Sequence, residues 1–122
     1  MTIALWVVAG LLAVTFLAAG LMKIAQPRPK LVAAGMGYAE DFSAGAMKGI
    51  GALEVLGAIG LILPAVLDTA TILVPLAATG LFLVMVGAVV VHIRRTESFA
   101  APLVLAVLAL FVAVLRFSTY PF

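Results

Sequence analysis

The chain has 122 residues, of which 66% are hydrophobic and only 10% charged, and its mean hydropathy is +1.36. Soluble domains use about 25% charged residues, and one this short cannot bury so much apolar side chain, so these values exclude an ordinary soluble protein. The net charge of +2 comes from basic residues placed singly or in pairs, which excludes a nucleic-acid-binding face, and the lack of cysteine excludes thiolate nucleophiles and iron–sulfur clusters in this chain.

Four apolar runs, each long enough to cross a bilayer, follow one another along the chain. They predict an all-α membrane protein, an antiparallel four-helix transmembrane bundle that forms a single domain. The first run has nothing basic before Trp6 and exceeds the 7–15 apolar residues of a signal peptide, so we interpret it as a span. The predicted spans are residues 3–24, 46–63, 71–92 and 99–115.

The connections between the predicted spans contain three of the six prolines. Pro27 ends the first helix, and residues 30–38 are expected to form a short interfacial helix with Tyr38 at headgroup depth. Asp41 or Ser43 is the expected N-cap of the second span.

Prolines also mark the later spans. The second span is expected to stop at Pro64, whereas Pro75 and Pro102 lie in the first turns of the third and fourth spans, where proline is tolerated. Residues 94–97 form a polar hairpin.

The distribution of lysine and arginine predicts the orientation. Six basic residues lie in or beside the first and third loops, and only Arg116 lies at the opposite side. By the positive-inside rule, we expect both basic loops in the cytoplasm and both termini outside, in a multi-pass protein of a bacterial cell membrane. The six residues are Lys23, Arg28, Lys30, Lys48, Arg94 and Arg95.

Three ionisable residues are the candidates for a binding or proton-relay site. Glu54 lies well inside the second span on a face that contains Gly51 and Gly57, so it is expected to point into the bundle, where small residues allow close helix packing. Lys23 and His92 end the first and third spans on the same side of the membrane as the start of the second. The three side chains are therefore expected to converge in the cytoplasmic half of the bundle.

Each of these residues also has a purely structural interpretation. Lys23 and Arg116 can be interfacial anchors whose ammonium and guanidinium groups extend to the headgroups. His92 can simply mark a helix end, and Glu54 can be an interhelical hydrogen-bonding residue. A single histidine does not suffice for bis-histidine haem ligation, and the ligand set of a zinc site is missing, so we expect no haem, metal or iron–sulfur cluster.

Three strings resemble the DoxX-like family of small four-span membrane proteins: LEVLGAIGLILP at residues 53–64, AGLMK at 19–23 and GAVVVHIRR at 87–95. The resemblance covers essentially the whole chain, and the first string is the most specific. It implies a relation to a small membrane subunit of a thiosulfate:quinone oxidoreductase or to proteins linked to redox stress. Lys23, Glu54 and His92 match the family's recurring polar positions. Most members have no assigned reaction, so the resemblance does not imply an enzyme.

Three functions remain open at this point. The first is a redox-linked membrane subunit that binds quinone or another lipophilic molecule, and the second is a small proton-coupled transporter that acts as a dimer. The third is a non-catalytic assembly partner of other membrane subunits. All three place the protein in a lipid bilayer, and none involves nucleic acid.

Overall fold

The computed structural model describes residues 2–118 and 121, except for the side chains of Arg28 and Asp41. Within these residues the chain forms five α-helices and one 3₁₀ helix, and no strand. The α-helices are α1 (Thr2–Ala25), α2 (Arg28–Ala33), α3 (Ala44–Leu67), α4 (Leu73–Arg94) and α5 (Ala100–Phe117), and the 3₁₀ helix (Gly37–Asp41) lies between α2 and α3.

Four of the helices, α1, α3, α4 and α5, are long and apolar enough to cross a membrane. At a rise of about 1.5 Å per residue they are about 27–36 Å long, close to the hydrocarbon thickness of a bilayer. Their outward faces expose large apolar side chains such as Ile3, Val14, Leu56 and Leu83, which suit lipid and not water. The prediction of an all-α, four-helix membrane protein is therefore confirmed.

The second transmembrane helix differs from the prediction at its end, because α3 continues past Pro64 to Leu67. Pro64 has no N–H and therefore removes one intrahelical hydrogen bond. Because it lies in the last turn of α3, this loss does not prevent the helix from continuing to Leu67. The last turn is instead secured by the Thr69 N–H, which donates to the Pro64 carbonyl at 3.1 Å, and by Asp68 in the left-handed conformation (φ 50°).

The N-cap of α3 is Ser43, one of the two predicted residues. Its hydroxyl oxygen accepts a hydrogen bond from the Ala46 N–H at 3.0 Å and so satisfies one of the free donors of the first turn.

Removal of this cap by Ser43→Ala is expected to lower the free energy of unfolding by about 1 kcal/mol, because an N–H of the first turn loses its acceptor. Ser43→Asp keeps an acceptor and should retain the stability of the unmodified chain. Thermal unfolding of the detergent-solubilised protein measures both, and equal losses in the two variants would show that the cap does not stabilise α3.

The first loop also differs from the prediction of one helix over residues 30–38. The helix α2 begins directly after Pro27 and ends at Ala33, and the chain then turns at Gly35, whose φ of +101° favours glycine. A separate 3₁₀ helix follows. The loop therefore folds back towards the bundle instead of lying along the membrane surface as one helix.

The long helices pack in the order α1, α3, α4, α5, and α5 returns to α1 with the least extensive contact of the four pairs. Between α3 and α4, the residue numbers of contacting residues rise along one helix and fall along the other: Gly57 of α3 lies against Leu81 of α4, and Gly60 lies against Ala77. This order is consistent with antiparallel neighbours. The core between the helices is apolar and includes Leu5, Leu12, Phe16, Leu61, Val74, Leu81, Ala109 and Val112.

The first and third loops meet at one end of the bundle, which we call the loop end: there α1 and α4 finish, and α3 and α5 begin. Gly37 of the first loop lies against the side chains of Arg95 and Glu97 in the third loop. These two side chains form an ion pair, with 3.3 Å between Arg95 Nε and Glu97 Oε1. The loops that contain most of the basic residues thus share one end of the protein.

Candidate functional site

A buried ion pair connects α1 to α3 near the loop end. The Lys23 ammonium donates a hydrogen bond to Glu54 Oε1, and the two residues are only 5% and 1% exposed. Glu54 lies about 15 Å along α3 from Ala44, at about 1.5 Å per residue. An isolated charge at this depth in an apolar bundle would be strongly unfavourable, so the two residues neutralise each other.

A close approach of two helix backbones brings the ion pair together. Gly20 of α1 and Gly51 of α3 face each other, one helical turn before Lys23 and Glu54, respectively. A Cβ atom on either glycine would lie 2.6 Å from the carbonyl oxygen of the other, which is closer than real contacts allow. The glycines are thus required for a helix separation at which the two charged side chains reach each other.

The geometry decides between the two interpretations of Lys23. Its side chain does not extend to the headgroups as an interfacial anchor, because it is buried and bound to Glu54. The reason lies in the helical period: Lys23 shares a face of α1 with the buried residues Phe16 and Gly20. Glu54 points into the bundle, as its own periodicity predicts.

Arg116, at the opposite end of the bundle, is also buried, with 6% of its surface exposed. Its side chain is therefore largely covered by the protein, and its interpretation as a headgroup anchor stays a prediction. It follows Ala109 and Val112 on the inward face of α5 at spacings of seven and four residues, so the helical period directs its side chain inwards.

His92 lies in the last turn of α4 and is half-buried at the loop end. Its Nδ1 lies 2.9 Å from the Ser98 carbonyl oxygen. Because a carbonyl oxygen only accepts, Nδ1 must donate the proton of this hydrogen bond. In the neutral ring, Nε2 is then the acceptor, and it has no hydrogen-bond partner among the described residues.

Tyr38 is the residue of the site that the sequence did not reveal. The sequence placed it at headgroup depth, whereas in the structure the 3₁₀ helix positions its ring 5.5 Å from the His92 ring, and the Lys23 Nζ lies 5.7 Å from its centroid. Phe42 packs edge-on against it at 6.4 Å. The only signal in the sequence was the pair of flanking glycines, Gly35 and Gly37, which allow a tight turn but do not specify its direction.

These side chains line a cavity of about 560 Å³ in the loop-end half of the bundle, which we call the central cavity. The volume is typical of sites for small organic ligands. The three residues that the sequence predicted, Lys23, Glu54 and His92, all line it, together with Tyr38. The remaining wall is largely apolar and includes Phe16, Ala19, Val84, Met85, Ala88, Val91, Pro102 and Leu105.

The arrangement is therefore a mostly apolar chamber with its ionisable groups gathered near one end. Lys23 supplies donors, Glu54 and His92 Nε2 supply acceptors, and the Tyr38 phenol supplies both. Such a chamber can hold an apolar molecule and orient one polar group on it.

The sequence model of the DoxX-like family matches residues 7–114 of the chain. No curated protein and no solved structure matches it.

Proposed function

The chain belongs to the DoxX-like family, and within that family we propose that it binds a lipophilic molecule with a hydrogen-bonding head, of the quinone or quinol type, inside the four-helix bundle. The observation that carries the proposal is the central cavity, whose described wall is apolar except for Thr15, Lys23, Tyr38, Glu54 and His92. In this cavity the apolar wall would contact the hydrocarbon part of a molecule that partitions into the bilayer, and the polar side chains would bind its head.

The polar residues fit a quinoid head. A quinone carbonyl accepts hydrogen bonds, and the Lys23 ammonium and the Tyr38 hydroxyl can donate them. A quinol hydroxyl donates a hydrogen bond, and His92 Nε2 can accept it. Quinone would supply two-electron chemistry to such a site. The role of this chain would be to hold the head, exclude water and accept or supply a proton at His92.

The apolar part of the ligand has a route to the lipid. Thr15 of α1 and Ala101 of α5 line the central cavity and are exposed at the surface of the bundle. The helices α1 and α5 make the least extensive contact of the neighbouring pairs. A hydrocarbon chain can leave the cavity between them without crossing the packed α1–α3 or α4–α5 interfaces.

The proposal includes an orientation, in which the loop end faces the cytoplasm of a bacterial cell and both termini lie outside. It is supported by the basic residues of the first and third loops, which the structure brings to one end of the bundle. The polar residues of the central cavity would then lie in the cytoplasmic half of the membrane.

The ion pair makes the alternative of a proton-coupled transporter less favourable. A carboxylate that exchanges protons with a substrate must lose its partner in each cycle, whereas Glu54 is buried against Lys23. Proton release when a lipophilic cation such as tetraphenylphosphonium is added to the solubilised protein would favour the transporter. An assembly partner of other membrane subunits needs no ligand in the central cavity.

Filling the central cavity tests the proposal directly. Ala88→Phe places a ring inside it, so the dissociation constant for decylubiquinone is expected to rise at least tenfold, which is about 1.4 kcal/mol. Val90→Phe, two residues along α4 on an exposed position outside the cavity, is the matched control and should bind like the unmodified protein. Isothermal titration calorimetry in detergent measures both constants.

The polar head is tested with His92→Phe, which keeps an aromatic ring but removes the acceptor. We expect weaker binding of the reduced form, decylubiquinol, by about tenfold, and a smaller effect on the oxidised form. Absence of quinone binding to the unmodified protein, or equal effects of Ala88→Phe and Val90→Phe, would overturn the proposed function.

A further inference from the structure

A second cavity of about 450 Å³ lies at the loop end, and Lys23 lines both this cavity and the central cavity. It is bounded by the last turn of α1, the start of α3 and the segment that contains α2. Its floor is apolar, with Leu31 and Met47 almost completely buried, and its polar lining consists of Gln26, Lys23 and Lys48. No acidic side chain that the structure describes lines it. We call it the basic cavity.

The positive charge of the basic cavity comes from Lys48. The charge of Lys23 is neutralised by Glu54, whereas Lys48 is exposed and has no acidic partner among the described side chains. The Gln26 side chain is exposed beside it and adds amide donors. A ligand of this cavity should therefore carry negative charge and several hydrogen-bond acceptors.

The position of the cavity identifies the source of that negative charge. It lies where α1 ends and α3 begins. In a bilayer that these helices span, their ends would reach the lipid headgroups. The α1 face next to it exposes Leu21 and Ile24, two large apolar side chains that suit lipid acyl chains. A free anion would leave the apolar floor and this face unused, whereas a phospholipid has a phosphate for Lys48 and Gln26 and hydrocarbon for both apolar surfaces.

We infer that the basic cavity binds an anionic phospholipid, with its phosphate at Lys48 and Gln26 and its acyl chains along α1. Anionic lipids of the cytoplasmic leaflet bind to basic pockets between transmembrane helices through the same combination of charge and hydrocarbon contact. The inference does not depend on the central cavity, since Lys48 and Gln26 do not line it.

Native mass spectrometry of the full chain in detergent with equimolar phosphatidylglycerol and phosphatidylcholine tests the inference. We expect the unmodified protein to retain phosphatidylglycerol several-fold more than phosphatidylcholine, and Lys48→Gln to reduce this preference about fivefold. Arg94→Gln removes the same charge at the same end of the bundle, outside the basic cavity, and should keep the preference. Circular dichroism establishes that both variants are folded.

Three results would overturn the inference. The first is an absence of preference for phosphatidylglycerol, and the second is an equal loss in Arg94→Gln and Lys48→Gln, which would indicate a general surface charge effect. The third is displacement of phosphatidylglycerol by millimolar inorganic phosphate, which would identify a site for the free anion.

Discussion

Lys23→Met is expected to lower the free energy of unfolding by about 3–5 kcal/mol, the usual cost of leaving one member of a buried ion pair without its partner. Glu54 is 1% exposed, so its carboxylate cannot regain water without a rearrangement of α1 and α3. Removing both charges has a different outcome: Lys23→Met combined with Glu54→Leu should recover most of the loss, because no uncompensated charge remains. Denaturation of the detergent-solubilised protein by sodium dodecyl sulfate, followed by circular dichroism, measures the four members of this double-mutant cycle.

The control for this cycle is Lys48→Met, which removes an exposed lysine of α3 that has no acidic partner among the described side chains. Its effect should stay within about 0.5 kcal/mol. If the losses from the two single substitutions simply add in the double variant, the two side chains do not stabilise the bundle as a pair.

Gly51→Ala is expected to destabilise the bundle by about 1–3 kcal/mol, the typical effect of forcing an extra methyl group into a packed interface. The new Cβ would lie 2.6 Å from the Gly20 carbonyl oxygen and 2.8 Å from the Lys23 Cβ, so α1 and α3 must separate. Separation also lengthens the hydrogen bond from Lys23 to Glu54. The same unfolding assay measures the change in stability.

The matched control is Gly49→Ala in the same helix, because a Cβ on Gly49 has no atom within 4 Å. Alanine is a better helix former than glycine, so this variant should be as stable as the unmodified chain or slightly more stable. A loss in Gly49→Ala as large as that in Gly51→Ala would mean that the close helix approach is not what makes Gly51 necessary.

Hydropathy and helical period account for the parts of the structure that were predicted. The four transmembrane helices could be predicted from the lengths of the apolar runs alone, since a bilayer fixes the length of a spanning helix. The inward direction of Glu54 followed from its spacing to the glycines of α3. Both properties are local to a single helix.

The pairing of side chains from different helices was harder to predict. The sequence placed Lys23, Glu54 and His92 at one end of the bundle but did not show that Lys23 binds Glu54 directly, because that contact depends on how closely Gly20 and Gly51 approach. The sequence also did not show that Arg116 is buried, because the general tendency of long basic side chains to extend to the headgroups was considered before the period of α5, which directs this residue inwards.

Tyr38 was missed for a different reason. Its position depends on a turn at Gly35 and on the contact of Gly37 with the third loop, two features of an irregular segment without any periodic pattern. Hydropathy treats such a loop only as a connection, so the residue that contacts both His92 and Lys23 could be recognised only from the three-dimensional structure.

The ion pair joins the two transmembrane helices that come first along the chain, and this has a consequence for biosynthesis. Lys23 and Glu54 lie within the first helical hairpin, α1 and α3, which precedes α4 and α5 along the chain and so reaches the membrane first when insertion proceeds from the N-terminus. The carboxylate therefore meets its counter-charge at the moment of insertion, and its exposure to lipid does not have to last until the whole bundle assembles. His92 follows with α4, so the two charges can pair before the central cavity is complete.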